Sequence, residues 1–142
     1  MSESIVTKLS FVEGYSFKVE FDLKEIPTLI VDEAKPIGEG LGPSPTRLLS
    51  ASIGHCLSSS LLYCLRRAKV NIKGLETTVK ADTERNEKGR LRIKNIDVKV
   101  HLVLDEKDKP KVNSCLEVFE DYCTLTQSVR KGIEVNVSIA DI

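Results

Sequence analysis

The segment from Pro45 to about Lys69 most constrains the fold, because its residues are apolar or small on almost every side of a helix. Ser44 followed by Pro45 predicts where this helix starts, with serine at the N-cap and proline at the first helical position. His55 and several serines within the segment favour a helix buried in protein over a membrane span. Since one small domain has little material to cover such a helix, a homodimer is expected.

Alternating apolar and polar residues predict that strands make up much of the remaining chain. A turn at Glu13–Gly14 and another at 86–89 join successive strands into hairpins. The predicted strands cover residues 5–11, 15–23, 28–31, 75–81, 96–104 and 133–139. This hairpin-rich order predicts an α+β fold with antiparallel sheets around the long central helix, in a single domain over residues 1–142.

Two shorter helices are predicted between the last two strands. The first covers about residues 111–121. The second begins at Thr124, where Gln127 three positions later indicates a capping box, and it ends at Gly132. These helices place a polar segment directly after Cys123.

Charge and cysteine content exclude several classes of function. Lys+Arg 21 and Asp+Glu 21 cancel, so no electrostatic attraction to nucleic acid or to an anionic membrane is expected. No secretory pattern opens the sequence, and four cysteines without one are typical of reduced thiols in the cytoplasm. Closely spaced ligand pairs such as C-x2-C are lacking, so neither a metal site nor any other cofactor is predicted.

Cys56 and Cys123 lie in unlike settings. Cys123 precedes the helix predicted at Thr124, whose partial positive charge and free N–H groups favour a thiolate; alternatively, Cys123 packs as a small hydrophobic residue. Cys56 lies inside the long helix, where burial raises a thiol pKa and makes it inert unless another part of the fold supplies a partner. Cys64 and Cys115 are interpreted as core residues.

Two blocks of sequence resemble the OsmC/Ohr family, which comprises osmotically inducible protein C and the organic hydroperoxide resistance proteins. The first is Gly42-Pro43-Ser44-Pro45-Thr46-Arg47-Leu48-Leu49, running on to Gly54-His55-Cys56. The second is Tyr122-Cys123-Thr124-Leu125-Thr126-Gln127-Ser128-Val129. The resemblance implies an intertwined α+β homodimer with sites at the subunit interface, each joining the thiols of Cys56 and Cys123.

The resemblance also implies an activity for these two thiols. Cys56 would attack the O–O bond of a hydroperoxide, and Cys123 would resolve the resulting sulfenic acid to a disulfide. An external thiol or dithiol reductant would then reopen the disulfide. An apolar pocket at the interface would favour organic hydroperoxides over hydrogen peroxide.

One departure from the family concerns the groups that activate Cys56. Peroxidase members use an arginine from the N-terminal part of the chain, paired with a glutamate directly after the proline that opens the central helix. Here Thr46 follows Pro45, and no arginine occurs before Arg47. Arg47 and Thr46 are candidates for activation or substrate binding, although Arg47 equally fits a solvated or salt-bridged residue in the first turn.

The lack of that pair leaves other functions open. One is a non-catalytic dimer that binds a small apolar or sulfur-containing molecule. Another is a purely structural or protein-interaction dimer.

Overall fold

The computed structural model describes residues 2–141 of the chain. In chain order the elements are β1 (Thr7–Glu13), β2 (Ser16–Phe21), β3 (Leu29–Val31), α1 (Pro45–Arg67), β4 (Ile72–Arg85), β5 (Leu91–Leu104), α2 (Lys109–Tyr122) and α3 (Thr124–Lys131). The strands form two antiparallel sheets, one of β1, β2 and β3 and one of β4 and β5. The predicted α+β class with antiparallel sheets is therefore confirmed.

The chain divides into two compact units, one ending at Leu49 and the other starting at Ser50. The single domain expected over residues 1–142 stays a prediction. In the first unit, β2 lies between β1 and β3, so the predicted hairpin and short third strand are confirmed. Phe17 of β2 pairs with Phe11 on one side and with Val31 on the other. Gly14 forms the hairpin turn with a φ of 54°, a conformation that glycine adopts without strain.

Asp32 organises the loop that follows β3. Its carboxylate is buried and accepts N–H groups from Glu33, Glu39 and Leu41 at 2.8, 3.2 and 3.1 Å. These backbone hydrogen bonds, the one from Leu41 first, hold the pKa of Asp32 below its usual range despite its burial. The loop leading to α1 is thus fixed by one ionised side chain.

In the second unit, β4 and β5 form a long hairpin that covers part of α1. Thr77 pairs with Val100 and Val79 with Val98, and the predicted turn lies at residues 86–89. Alternate residues of both strands are partly buried, which is typical of a sheet with one covered face.

α1 buries one face in the described chain. Its buried positions follow the helical repeat: Ile53, Gly54, Leu57, Leu61 and Leu65. The other face exposes His55, Ser59 and Tyr63. A single chain therefore leaves part of α1 uncovered, and its burial on most sides by a second copy stays a prediction. By length and composition α1 also satisfies the requirements of a membrane-crossing helix, which core helices of soluble proteins satisfy as well.

Gly54 marks a close approach of α1 to β4. A Cβ atom at residue 54 would lie 2.7 Å from Cγ2 of Val79 and 3.7 Å from Cγ2 of Thr77. One turn later, the hydroxyl of Ser58 donates to the Gly54 carbonyl at 2.6 Å and shares a 2.6 Å hydrogen bond with the Thr77 hydroxyl. These contacts position the part of α1 that carries Cys56.

The Gly54→Ala variant is expected to be less stable than the parent, because the added methyl group meets the stiff β-branched side chain of Val79. Overpacking costs about 2 kcal/mol. The better helix propensity of alanine offsets about 1 kcal/mol of this cost, so urea unfolding should show a net loss of about 1 kcal/mol. Adding Val79→Ala makes room for the methyl group, so the double variant should lose less than the two single losses combined. A Gly54→Ala variant as stable as the parent would contradict the expected clash.

The core of the second unit consists of buried residues from α1, α2 and the segment between α1 and β4: Leu61, Leu65, Val70, Val112 and Cys115. Within it, Cys64 of α1 and Cys115 of α2 form a disulfide whose Cα atoms are 5.7 Å apart. Core positions were expected for both residues, and Cys115 is 1% exposed. The expectation that all four thiols are reduced is wrong, because the packing of α1 and α2 brings together two cysteines separated by 51 positions.

The strand predicted over residues 133–139 does not form in the described chain. Its apolar side chains are exposed instead, with Ile133 at 59% and Val137 at 83%. A strand requires a neighbour that accepts its backbone hydrogen bonds. The described part of the chain pairs no strand with this segment.

Candidate active site

Cys123 joins two helices, as the C-cap of α2 and the N-cap of α3. Its Sγ accepts the backbone N–H of Thr126 at 3.4 Å, and the hydroxyl oxygen of Thr126 lies 3.0 Å from the same sulfur. The predicted helix start is confirmed. The predicted capping box is wrong, because the cap is the sulfur of Cys123 and the Gln127 amide donates to the carbonyl of Glu120 at 3.1 Å.

The surroundings of Cys123 favour its ionised form. The residue is fully buried, and burial by itself raises a thiol pKa. Hydrogen bonds from the side chains of Cys56 and Thr126 and from the N–H groups of Thr126 and Leu125 outweigh burial and lower the pKa of Cys123. The start of α3 thus supplies the donors that the sequence indicates.

Cys56 lies in α1 and is partly buried. Burial raises the pKa of its thiol, and the hydrogen bond and charge of Cys123 raise it further. The N–H groups of Leu125 and Thr124 act in the opposite direction without cancelling the increase. These surroundings therefore favour the protonated form of Cys56 and the thiolate form of Cys123.

The two free thiols thus belong to one site although they are far apart in sequence. Cys56 is the more accessible of the two, since Cys123 has no exposed surface. Two adjacent thiols, of which one favours the protonated form and the other the thiolate, are suited to reversible disulfide chemistry.

Arg47 and Thr46 lie in the first turn of α1. The guanidinium of Arg47 donates to the hydroxyl of Ser44 at 3.1 Å, and the Arg47 N–H donates to the same oxygen at 3.4 Å. Ser44 therefore caps the helix, as its place before Pro45 predicts. The Arg47 side chain is exposed and Thr46 is partly buried, and their roles in activation stay predictions.

Thr126 was not foreseen from the sequence. It is buried, its backbone N–H donates to the sulfur of Cys123, and its hydroxyl oxygen accepts a hydrogen bond from the Cys123 thiol. The signal was its spacing, because the third residue after an N-cap is where the capping side chain finds its donor. Among residues 2–141 there is no group of three or more His, Cys, Asp or Glu side chains that could hold a metal ion.

The fold and site define a class of mixed α+β proteins in which a long helix and the start of a later short helix bring two free thiols together. The chain belongs to the OsmC-like protein family, whose sequence model matches residues 38–138. This range includes both Cys56 and Cys123. The comparison with curated proteins gives no match.

Solved structures share the fold over most of their length. An OsmC-like protein of unknown function from Vibrio cholerae is similar with a TM-score of 0.76 and 12% identity, over 90% of this chain and 94% of that one. An organic hydroperoxide resistance protein OsmC from Legionella pneumophila gives a TM-score of 0.67 and 16% identity, over 90% of each chain. An organic hydroperoxide resistance protein from Elizabethkingia anophelis, with thiocyanate bound, gives a TM-score of 0.65 and 19% identity, over 94% of this chain and 93% of that one.

Proposed function

We propose that this protein is a thiol-dependent peroxidase that reduces organic hydroperoxides. The observation that carries the proposal is the partly accessible thiol of Cys56 hydrogen-bonded to the fully buried Cys123. A hydroperoxide reaches Cys56, and the second thiol is already in place to resolve the product. Structural neighbours that are named organic hydroperoxide resistance proteins support the choice of substrate class.

The reaction balances with two thiols and one hydroperoxide. The Cys56 sulfur attacks one oxygen of the O–O bond, forming an S–O bond and releasing the other oxygen as an alcohol once it takes a proton. The Cys123 sulfur then displaces the sulfenic hydroxyl, which leaves as water as the disulfide forms. An external thiol or dithiol restores the reduced pair by exchange, and no bound cofactor is required.

We further propose that the protein works as a homodimer. The outer face of α1 and the apolar residues of 133–139 are exposed in one chain, and a second copy offers both a cover and a pairing partner. Sedimentation or light scattering should give twice the mass of the chain.

The test of the peroxidase proposal is peptide mapping after one equivalent of cumene hydroperoxide. We expect a loss of two hydrogens and a new linked peptide joining Cys56 to Cys123. The Cys64–Cys115 peptide should be linked before and after, so it serves as the internal reference. Slow oxidation without preference for Cys56 and Cys123 would contradict the proposal.

The raised pKa of Cys56 favours a second candidate function, the non-catalytic dimer that holds a small apolar or sulfur-containing molecule. A protonated thiol is a weak nucleophile, but because it is uncharged it is compatible with a binding site for an apolar molecule. Native mass spectrometry distinguishes the two functions: a co-purified ligand together with no hydroperoxide turnover decides for binding.

A further inference from the structure

Before the sulfur of Cys56 attacks a hydroperoxide, the Cys56 thiol must lose its proton. Cys56 is hydrogen-bonded to Cys123, whose sulfur caps α3 and accepts the N–H of Thr126, a setting that stabilises a thiolate. Burial and Cys123 both raise the pKa of Cys56 and so favour its protonated form. The neighbouring His55 is an unsuitable base, since it lies on the exposed face of α1 and adjacent helical side chains point about 100° apart. The inference below rests on the peroxidase function proposed above.

We propose that the thiolate of Cys123 accepts the proton of Cys56 and returns it to the departing alkoxide before it resolves the sulfenic acid. Cys123 is then a general base and acid of the first step as well as the resolving group of the second.

The position of Cys123 supports this role. Its sulfur is fully buried at the N-terminus of α3, with Thr126 Oγ1 at 3.0 Å and the Thr126 N–H at 3.4 Å. A hydroxyl donates to a thiolate and accepts from a thiol, so the Thr126 side chain suits both protonation states of Cys123. The proton therefore moves between two adjacent sulfurs without a change in the surrounding hydrogen-bond partners.

The groups with the largest effects on the pKa values of the two thiols come from two places in the fold. They come from α1, which supplies Cys56, and from the junction of α2 and α3, which supplies Cys123 and the N–H groups of Thr124, Leu125 and Thr126, together with the Thr126 hydroxyl. Apart from the two thiols, these groups do not titrate. The pair therefore titrates as one unit with two macroscopic pKa values.

The proton and electron balance closes over the two steps. The proton moves from Cys56 to Cys123, and the Cys56 thiolate donates an electron pair to the hydroperoxide oxygen as the O–O bond breaks. The alkoxide takes the proton from Cys123 and leaves as the alcohol, which restores the Cys123 thiolate. That thiolate attacks the Cys56 sulfenic sulfur, and the hydroxyl group leaves as hydroxide, which takes a proton from solvent to give water as the disulfide forms.

The test is the first step alone, measured as single-turnover consumption of cumene hydroperoxide by excess reduced protein. The Cys123→Ser variant should react about 10²-fold more slowly at neutral pH, because general acid–base assistance is lost. A sulfenic-acid trap should locate the product at Cys56, and circular dichroism should show the parent fold. If Cys123 only resolves the sulfenic acid, the Cys123→Ser variant will react at the parent's rate, which would contradict the proposal.

The pH profile gives an independent readout. The parent rate should rise as the pair loses its first proton and fall as it loses its second, because no proton is then left for the alkoxide. The Cys123→Ser profile should show only one rise, at the pH where Cys56 alone ionises. A parent profile that rises without falling overturns the proton role.

Thr126 provides a second variant that keeps both thiols. Thr126→Val removes the hydroxyl at the Cys123 sulfur, so the rising limb of the profile should move to higher pH, whereas Thr126→Ser should keep it in place. A Thr126→Val pH profile whose rising limb lies at the same pH as the parent's would contradict the proposal. A Cys123→Ser variant with the parent's rate and profile overturns the proton role alone, whereas a parent that consumes no hydroperoxide overturns the peroxidase function itself.

Discussion

The Cys56→Ser variant is expected to lose hydroperoxide reduction by on the order of 10³-fold or more, which is the scale on which removal of an enzyme nucleophile acts. Serine has nearly the same shape as cysteine, but its hydroxyl does not ionise near neutral pH and does not form a sulfenic acid. Turnover of cumene hydroperoxide with a dithiol reductant measures the loss. The fold should be retained, because Cys56 is only partly buried.

The His55→Ala variant is the matched control, since His55 is the exposed neighbour of Cys56 on the same helix. It should keep the parent's turnover. Equal behaviour of the parent and Cys56→Ser in every assay would instead indicate the structural or protein-interaction dimer. A parent without turnover that co-purifies with a ligand would indicate the binding function.

Removal of the Cys64–Cys115 disulfide is expected to cause the largest loss of stability. The bond closes a loop over a sequence separation of 51, and the chain-entropy model assigns about 4 kcal/mol to a loop of this length. The double variant Cys64→Ala/Cys115→Ala should therefore unfold at a much lower urea concentration than the parent under non-reducing conditions. Alanine avoids burying an unpaired hydroxyl in the core.

Reduction of the parent serves as the chemical counterpart of this variant. A strong reductant should lower the parent's urea midpoint and leave that of the double variant unchanged. Thiol titration of the unreduced, unfolded parent should find the thiols of Cys56 and Cys123 but not those of Cys64 and Cys115. Four titratable thiols in that sample, or equal midpoints for parent and double variant, would contradict the prediction.

The sequence was sufficient to predict most elements, because their signals are local. Alternation located the hairpins, and Ser44 before Pro45 located the start of α1. The burial that raises the pKa of Cys56 and the N–H groups that lower the pKa of Cys123 are also local signals, one of a helix interior and the other of a helix start. Each of these features depends on a few adjacent residues.

The features that the sequence did not predict depend on contacts between distant residues. The Cys64–Cys115 bond requires α2 to pack on α1, and spacing carries no information about that packing. The segment 133–139 has the pattern of a strand but no neighbour in the described chain, and alternation does not indicate whether a partner strand exists. The interaction of Cys56 with Cys123 came from a family resemblance rather than from the residues themselves.

The core disulfide has a consequence for the reactive pair. Cys64 follows Cys56 by eight positions (64 − 56) and Cys115 precedes Cys123 by eight (123 − 115), which is about 12 Å along each helix. The same two helices thus carry one disulfide and, eight positions away on each, the two free thiols for which a reversible bond is proposed. By fixing the helices to each other, the disulfide raises the effective concentration of one reactive sulfur at the other. Reduction of the Cys64–Cys115 bond should therefore slow formation of the disulfide between Cys56 and Cys123, although these two thiols themselves are unchanged.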